Sequence, residues 1–247
     1  MDAERLGSPI GIGARAEVYD LGAAVLKLYT AEAGKAPAFR EAAILAIIED
    51  LDLPAPRVHA VQRREDRWGL VMSKASGPSF AEAMQNANNP GANLAEMARL
   101  HALIHSRPGR NLPSQHERLR SNIEAAQPLG AALRERLLEG LMALPRGDRL
   151  CHGDFHPFNV MGPPGEAVVV DWPDATQGNP AADVCRSFVL ISAVNEAVAD
   201  SYREAYCLQT RMGTESVDAW LPVVAAARLA EGIPQENDRL VALAERA

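Results

Sequence analysis

Asp154 and Asn159 stand five residues apart in the segment Cys151-His152-Gly153-Asp154-Phe155-His156-Pro157-Phe158-Asn159, and Asp171 follows the amide twelve residues later. The spacing predicts a loop running into a strand, with Asp171 closing the next strand. Such a set supplies one base and two hard oxygen ligands. Magnesium suits it, because that ion binds through a few protein oxygens and keeps waters and substrate phosphates. Phosphoryl transfer needs these parts: a carboxylate to orient an incoming hydroxyl, and a metal to neutralise charge on the phosphates. Loop Asp and Asn residues also make ordinary turns, so the segment gains meaning only from partners elsewhere.

The partners come from the first fifth of the chain. Gly11-x-Gly13-x-x-Ala16-x-Val18 falls between two predicted strands. A dinucleotide-binding glycine motif would lead into a helix, whereas a glycine turn between strands can lie over nucleotide phosphates with its N–H groups facing the oxygens. Lys27 then sits inside the apolar run Ala23-Ala24-Val25-Leu26-Lys27-Leu28-Tyr29. Of 25 basic residues only Lys27, Lys35 and Lys74 are lysines, so a lysine in a strand invites a specific reason. An ammonium there needs a partner or an exposed position, and Glu41 on the following predicted helix is the candidate partner.

The elements that must position these groups change in kind along the chain. Short strands are predicted at Glu17–Asp20 and Ala23–Tyr29, and a hairpin at Arg57–Arg63 and Trp68–Ser73 across Arg64-Glu65-Asp66-Arg67. A helix is predicted over Ala36–Glu49, with Phe39, Ala43, Leu45, Ala46 and Ile48 toward the core. After Ala75-Ser76-Gly77-Pro78 the pattern turns helical: Phe80–Ala87, Leu94–His105, His116–Ala126, Leu129–Leu144, and again from Ala181. The block Leu150–Asp171 interrupts it, with β pieces around Asn159-Val160-Met161 and Ala167–Val170. The expected fold class is α+β: a small β-rich lobe over residues 1–75 and a mainly helical lobe over 76–247.

With 247 residues, 47% apolar and 23% charged, the chain has the composition of a globular protein able to build a sizeable core. No apolar stretch is long enough for a membrane span, and the start Met1-Asp2-Ala3-Glu4-Arg5 lacks a signal-type apolar core. Three scattered cysteines fit a reducing compartment. Together these point to the cytoplasm and to no membrane partner. A net charge of −7 argues against nucleic acid as partner and favours a cationic substrate.

Taken in order, Gly11/Gly13, Lys27, Glu41, His152-Gly153-Asp154-x4-Asn159 and Asp171 resemble the protein-kinase-like fold. The His-Gly-Asp form is similar to the aminoglycoside phosphotransferase and choline kinase branch. So are Leu100-His101-Ala102-x-Ile104-His105, Val168-Val169-Val170-Asp171-Trp172 and Gly178-Asn179-Pro180-x-x-Asp183. The resemblance implies ATP or GTP as donor, Mg2+, and a small-molecule hydroxylated acceptor. It implies Asp154 as the base, Asn159 and Asp171 as magnesium ligands, and Lys27 with Glu41 at the α- and β-phosphates. Gly11, Gly13 and Val18 would cover the nucleotide, Met72 would border the adenine, and Ser73–Ala75 would form the hinge. Asp183 and His152 would be structural. Pro173 after Trp172 and the short N-terminal lobe depart from the family pattern.

Other readings compete. Cys151, His152, Asp154 and His156 alternate as zinc ligands could, and His101 and His105 share a helical face, although burial beside Leu94, Met97 and Ile104 explains them too. Cys151 as a nucleophile has no indicated base, so a small apolar filler is the simpler reading. A catalytically silent nucleotide-binding regulator of the same fold is the non-enzymatic alternative. Too little chain separates Asp171 from Gly178 for a protein kinase's activation segment. Glu196, Asp200, Glu204 and Asp218 are candidates for an amine-bearing acceptor. Neither the acceptor's identity nor the oligomeric state is encoded in these motifs.

Overall fold

The computed structural model describes residues 6–13, 15–85 and 90–246. Ala14 of the glycine turn and the last two residues of the helix expected over Phe80–Ala87 lie outside the described residues. Two compact units emerge: residues 1–78 with 161–173, and residues 79–160 with 174–247.

The first unit is built on β1 (Gly11–Ile12), β2 (Ala16–Asp20), β3 (Ala24–Tyr29), β4 (Val58–Arg64) and β5 (Arg67–Ser73), with α1 (Ala36–Asp50) between β3 and β4. The five strands form one sheet in the order β1-β2-β3-β5-β4, and every pairing is antiparallel. At the β4–β5 hairpin Arg64 pairs with Arg67, and both central residues, Glu65 and Asp66, have positive φ. That is the two-residue turn whose twist matches the flanking strands. A Cβ at Gly69 would come within 2.6 Å of Leu26 Cδ1 and 3.1 Å of Leu28 Cδ1, so a side chain there would force buried leucines to shift.

The buried face of α1 is Ala38, Glu41, Ile44, Leu45 and Ile48. This corrects the expected face: Ala43 and Ala46 are exposed, and Phe39 is half exposed, its ring 5.6 Å from that of Trp68. Spacings of three and four residues from Ala38 pass through Glu41, so the helix turns its acid inward. The counter-charge on β3 makes that position tolerable.

In the second unit the helices are α2 (Phe80–Gln85), α3 (Gly91–His105), α4 (Gln115–Ala125), α5 (Ala131–Ala143), α6 (Pro180–Ser192), α7 (Glu196–Thr210), α8 (Thr214–Asp218), α9 (Leu221–Arg228) and α10 (Asn237–Ala244). Strands β6 (Arg149–Cys151) and β9 (Thr176–Gly178) pair antiparallel. Two further short strands lie between Asn159 and Asp171: β7 (Val160–Met161), and β8 (Val168–Val169), which belongs to the first unit. Several helix starts follow from local chemistry. Ser114 Oγ accepts from Glu117 N, Asn179 Oδ1 from Ala181 N with Pro180 next in line, and Asn195 Oδ1 from Val198 N. Met97, Leu100, Ile104, Phe155, Val184, Tyr202 and Trp220 are buried in this unit. Among the described residues no helix is long and apolar enough to cross a membrane.

Candidate active site

In the first unit the strand lysine finds the predicted glutamate and one more acid. Lys27 Nζ lies 2.9 Å from Glu41 and 2.6 Å from Asp171 Oδ1. Glu41 is 1% exposed, and its second oxygen accepts from the buried Tyr29 hydroxyl. Burial alone would lower the Lys27 ammonium, but Glu41 and Asp171 outweigh it and hold it above its ordinary value. Burial pushes the Glu41 carboxyl up, outweighing the Lys27 charge and the Tyr29 hydrogen bond, and the Asp171 charge adds to the rise. Asp171 lies two residues past β8 rather than closing it, with φ +65, a left-handed conformation that aspartate tolerates better than most residues. Its side chain is 43% exposed.

The glycine turn is part of the same sheet. Gly11 pairs with Val18, and Val18 pairs in turn with Lys27; Gly13 N donates to Ala16 O over 2.9 Å. Met72 is buried on β5 opposite Val25. In the expected hinge, Ser73 N donates to Arg57 O and Lys74 N to Ala23 O. The backbone N–H of Ala75 is the one of the three without such a bond among the described residues.

Tyr29 was invisible as a functional residue in the sequence, being one more aromatic in an apolar strand. Tyr29→Phe removes a donor from a buried carboxylate, a loss worth roughly 1.5–3 kcal/mol. A urea unfolding midpoint equal to wild type would contradict this role.

Asp154 and Asn159 belong to the second unit. Asn159 Nδ2 donates to the Asp154 carbonyl (2.8 Å) and lies 3.3 Å from Oδ2. His156 Nε2 is 3.4 Å from the same oxygen, and Arg186 Nη2 is 3.5 Å from Oδ1. Burial would raise the Asp154 carboxyl, but the hydrogen bond and charge of His156, then the charges of Arg186 and His152, hold it well below the usual carboxylate range. The group is an ionised carboxylate beside the Arg186 guanidinium and the His156 imidazole, able to accept a hydrogen bond from a hydroxyl and orient it. The sequence did not mark His156 and Arg186 as partners of the Asp154 carboxylate.

The loop is anchored by Asp183. Its Oδ2 accepts from His152 N (2.6 Å), His101 Nε2 (2.9 Å) and His105 Nε2 (3.1 Å), and its Oδ1 from Gly153 N (2.9 Å). Gly153 has φ +82, and a Cβ there would meet the Asp174 carbonyl at 2.3 Å. His101 Nδ1 meets the Tyr202 hydroxyl, and His105 Nδ1 the Tyr206 hydroxyl. The metal-ligating atoms of His101, His105 and Asp183 converge within 4.8 Å, but hydrogen bonds already engage both ring nitrogens of each histidine. The alternating zinc reading fails on geometry: His152 is fully buried, and its Nδ1 faces Asp154 N over 3.2 Å. Cys151 is buried with its thiol pushed up by that burial, an inert filler.

Burial lowers His101 to about 3, which keeps it neutral, with Nε2–H donating to Asp183 and Nδ1 accepting from Tyr202. Its folded value lies below the unfolded one, so the unfolded chain binds the extra proton. The stability it contributes is present above pH ~6.5 and drains as pH falls toward about 3, at roughly 1.4 kcal/mol per unit. Glu41, raised by burial, acts in the opposite sense. The check is urea unfolding between pH 7 and 4.5 for wild type and His101→Asn: the wild type loses stability relative to the variant as pH falls. Parallel curves would contradict it.

The donor chemistry of the expected metal ligands fits magnesium. Asn159 offers an amide oxygen, its Nδ2 being committed to Asp154, and Asp171 offers a carboxylate whose Oδ2 is not the atom bound to Lys27. Neither sulfur nor imidazole belongs to the pair.

The model of the phosphotransferase enzyme family matches residues 7–220. No curated protein matches the sequence. Among solved structures, a thermostable mutant of the aminoglycoside phosphotransferase APH(4)-Ia, in ternary complex with AMP-PNP and hygromycin B, is 16% identical. It covers 97% of this chain and 90% of its own, with a TM-score of 0.67. The APH(3'')-Id enzyme of Streptomyces rimosus, in complex with ADP and streptomycin, is 18% identical, covering 89% and 91% with a TM-score of 0.62. A type VIII aminoglycoside-3'-phosphotransferase is 19% identical, covering 91% and 90% with a TM-score of 0.62. At these identities the likeness is one of fold, and it bears out the expected α+β, kinase-like architecture.

Proposed function

The chain belongs to the phosphotransferase enzyme family, and from that premise we propose that it moves the γ-phosphate of ATP or GTP to a hydroxyl of a small molecule. The observation that carries the proposal is Lys27, whose ammonium is held between Glu41 and an aspartate 144 residues further along the chain. A purely structural ion pair needs one acid. Two acids around one strand lysine, with a glycine turn on the neighbouring strand, make a phosphate-binding arrangement.

In this reading residues 1–75 bind the nucleotide. Gly11, Gly13 and Val18 cover it, Lys27 meets the α- and β-phosphates under the control of Glu41, and Met72, Ser73 and Ala75 border the base. Residues 76–247 carry Asp154 and the acceptor region. The acceptor oxygen attacks the γ-phosphorus, the bond to the β-phosphate oxygen breaks, and Asp154 takes or orients the hydroxyl proton. Asn159 and Asp171 would hold magnesium, which when bound neutralises charge on the phosphates.

The acceptor is proposed to be a small hydroxylated molecule such as an aminoglycoside. Four acids were candidates for an amine on it. Asp200 and Asp218 already bind Arg203, at 2.8 and 2.5 Å, which leaves Glu196 and Glu204, both exposed. The test is a coupled assay of nucleoside diphosphate release with ATP or GTP across aminoglycosides, choline-like amines, homoserine, sugars and macrolides. Release that requires both acceptor and magnesium is expected. Nucleotide binding without acceptor-dependent release from any of them would favour the silent regulator.

A further inference from the structure

Helix α6 meets the loop with two side chains three residues apart, on one helical face. Asp183 takes the backbone N–H groups of His152 and Gly153. Arg186 holds the next two groups along the loop: its Nε donates to the Gly153 carbonyl (3.2 Å), and its Nη2 lies 3.5 Å from Asp154 Oδ1. The peptides on both sides of Gly153, and the carboxylate after them, are thus tied to a single helix.

Arg186 is itself restrained from behind. Its Nη2 makes a 2.6 Å ion pair with Glu231 Oε1, and Glu231 Oε2 meets Arg228 Nη1 at 2.8 Å. Arg228, 8% exposed, is clamped by two bonds of 2.6 and 2.7 Å to Glu236. The order of distances decides what the guanidinium does. It is closer to Glu231 than to Asp154, so it does not close on the base as a bidentate fork. It stands against Oδ1 and leaves Oδ2 between His156 and Asn159.

We propose that Arg186 is a positioning residue for Asp154, held in place by Glu231, and that the pair fixes which carboxylate oxygen meets the acceptor hydroxyl. The proposal rests on Asp154 being the base. Without Arg186 the carboxylate loses its contact at Oδ1 and is left with the contacts of His156 and Asn159 at Oδ2, which alone hold its rotation more loosely. A misplacement of about 1 Å at a reacting group costs on the order of a hundredfold in rate. Lysine cannot replace the fork, because one ammonium cannot serve the Gly153 carbonyl, Asp154 and Glu231 in the same geometry.

The test is steady-state kinetics on Arg186→Ala, Arg186→Lys, Glu231→Gln and Asp154→Asn, with unfolding midpoints measured in parallel. For Arg186→Ala, kcat is expected to fall roughly ten- to a hundredfold while the nucleotide KM stays within about twofold. Added guanidinium ion should restore part of that rate, and Arg186→Lys should be intermediate. Glu231→Gln should cost less, and should cost nothing further in the Arg186→Ala background. Wild-type kcat in Arg186→Ala, or a loss that follows unfolding and ignores guanidinium, would overturn the inference. If Asp154→Asn is impaired and Arg186→Ala is not, the inference alone fails. If Asp154→Asn keeps the wild-type rate, the assignment of the base falls with it.

Discussion

Asp183→Ala is expected to cost about 3–5 kcal/mol of stability, the loss typical of breaking a buried charged network from one side. The carboxylate is 1% exposed and accepts four hydrogen bonds, from two histidine side chains and two backbone N–H groups. Alanine would leave all four donors facing an apolar gap, and each buried donor without a partner carries its full desolvation cost. The carboxyl is held far below its ordinary value in the fold: burial opposes ionisation, and the hydrogen bonds from His101 and His105 overcome it. Asp183→Asn keeps the volume but turns an NH2 group toward donors, so it is expected to be nearly as damaging. The measurement is the urea midpoint, with the m-value as the check that the same surface is exposed. A wild-type midpoint for Asp183→Ala would remove Asp183 as the anchor of the loop.

Asp154→Asn should lower kcat by about a hundredfold to ten-thousandfold, the range associated with losing a general base. The amide preserves the shape of the loop, because Asn159 Nδ2 donates chiefly to the Asp154 backbone carbonyl. It removes the negative charge that His156 and Arg186 surround. Nucleotide affinity is expected to survive, since Lys27, Glu41 and Asp171 belong to the other compact unit. The loss should therefore appear in turnover and not in the nucleotide Kd. Equal losses in both would mean that Asp154 supports binding and not the transfer.

What was legible in the sequence came from residues out of place. Lys27 stood out because an ammonium in an apolar strand demands a partner, and Glu41 was the nearest acid on the next element. Strands β2 to β5 and α1 were predicted to within two residues at each end, since their apolar runs are bounded by glycine, proline and charged turns, whereas β1 falls inside the glycine segment read as a turn. Strands β6 and β9 were not, because three-residue strands carry no periodicity. The inward face of α1 was misread because Phe39 outweighed Glu41 in a search for apolar repeats.

The charged network behind Asp154 was illegible for a different reason. Arg186, Arg228, Glu231 and Glu236 read as the solvated faces of helices, and only folding brings α6 and the residues after α9 to the loop. One signal was available: Arg186 lies three residues after Asp183, on the same face of α6 as the aspartate expected to order the loop. Tyr29 had a similar cue, being two residues from Lys27 on one strand, where i and i+2 share a face.

The central claim concerns the fate of the γ-phosphate, and the most direct measurement traces that group itself. With γ-labelled ATP, magnesium and an acceptor panel, the label is predicted to appear as a stable phosphate ester on an acceptor hydroxyl, and to fail to do so with Asp154→Asn. Label that stays on bound ATP, or leaves only as inorganic phosphate whatever acceptor is present, would contradict the account.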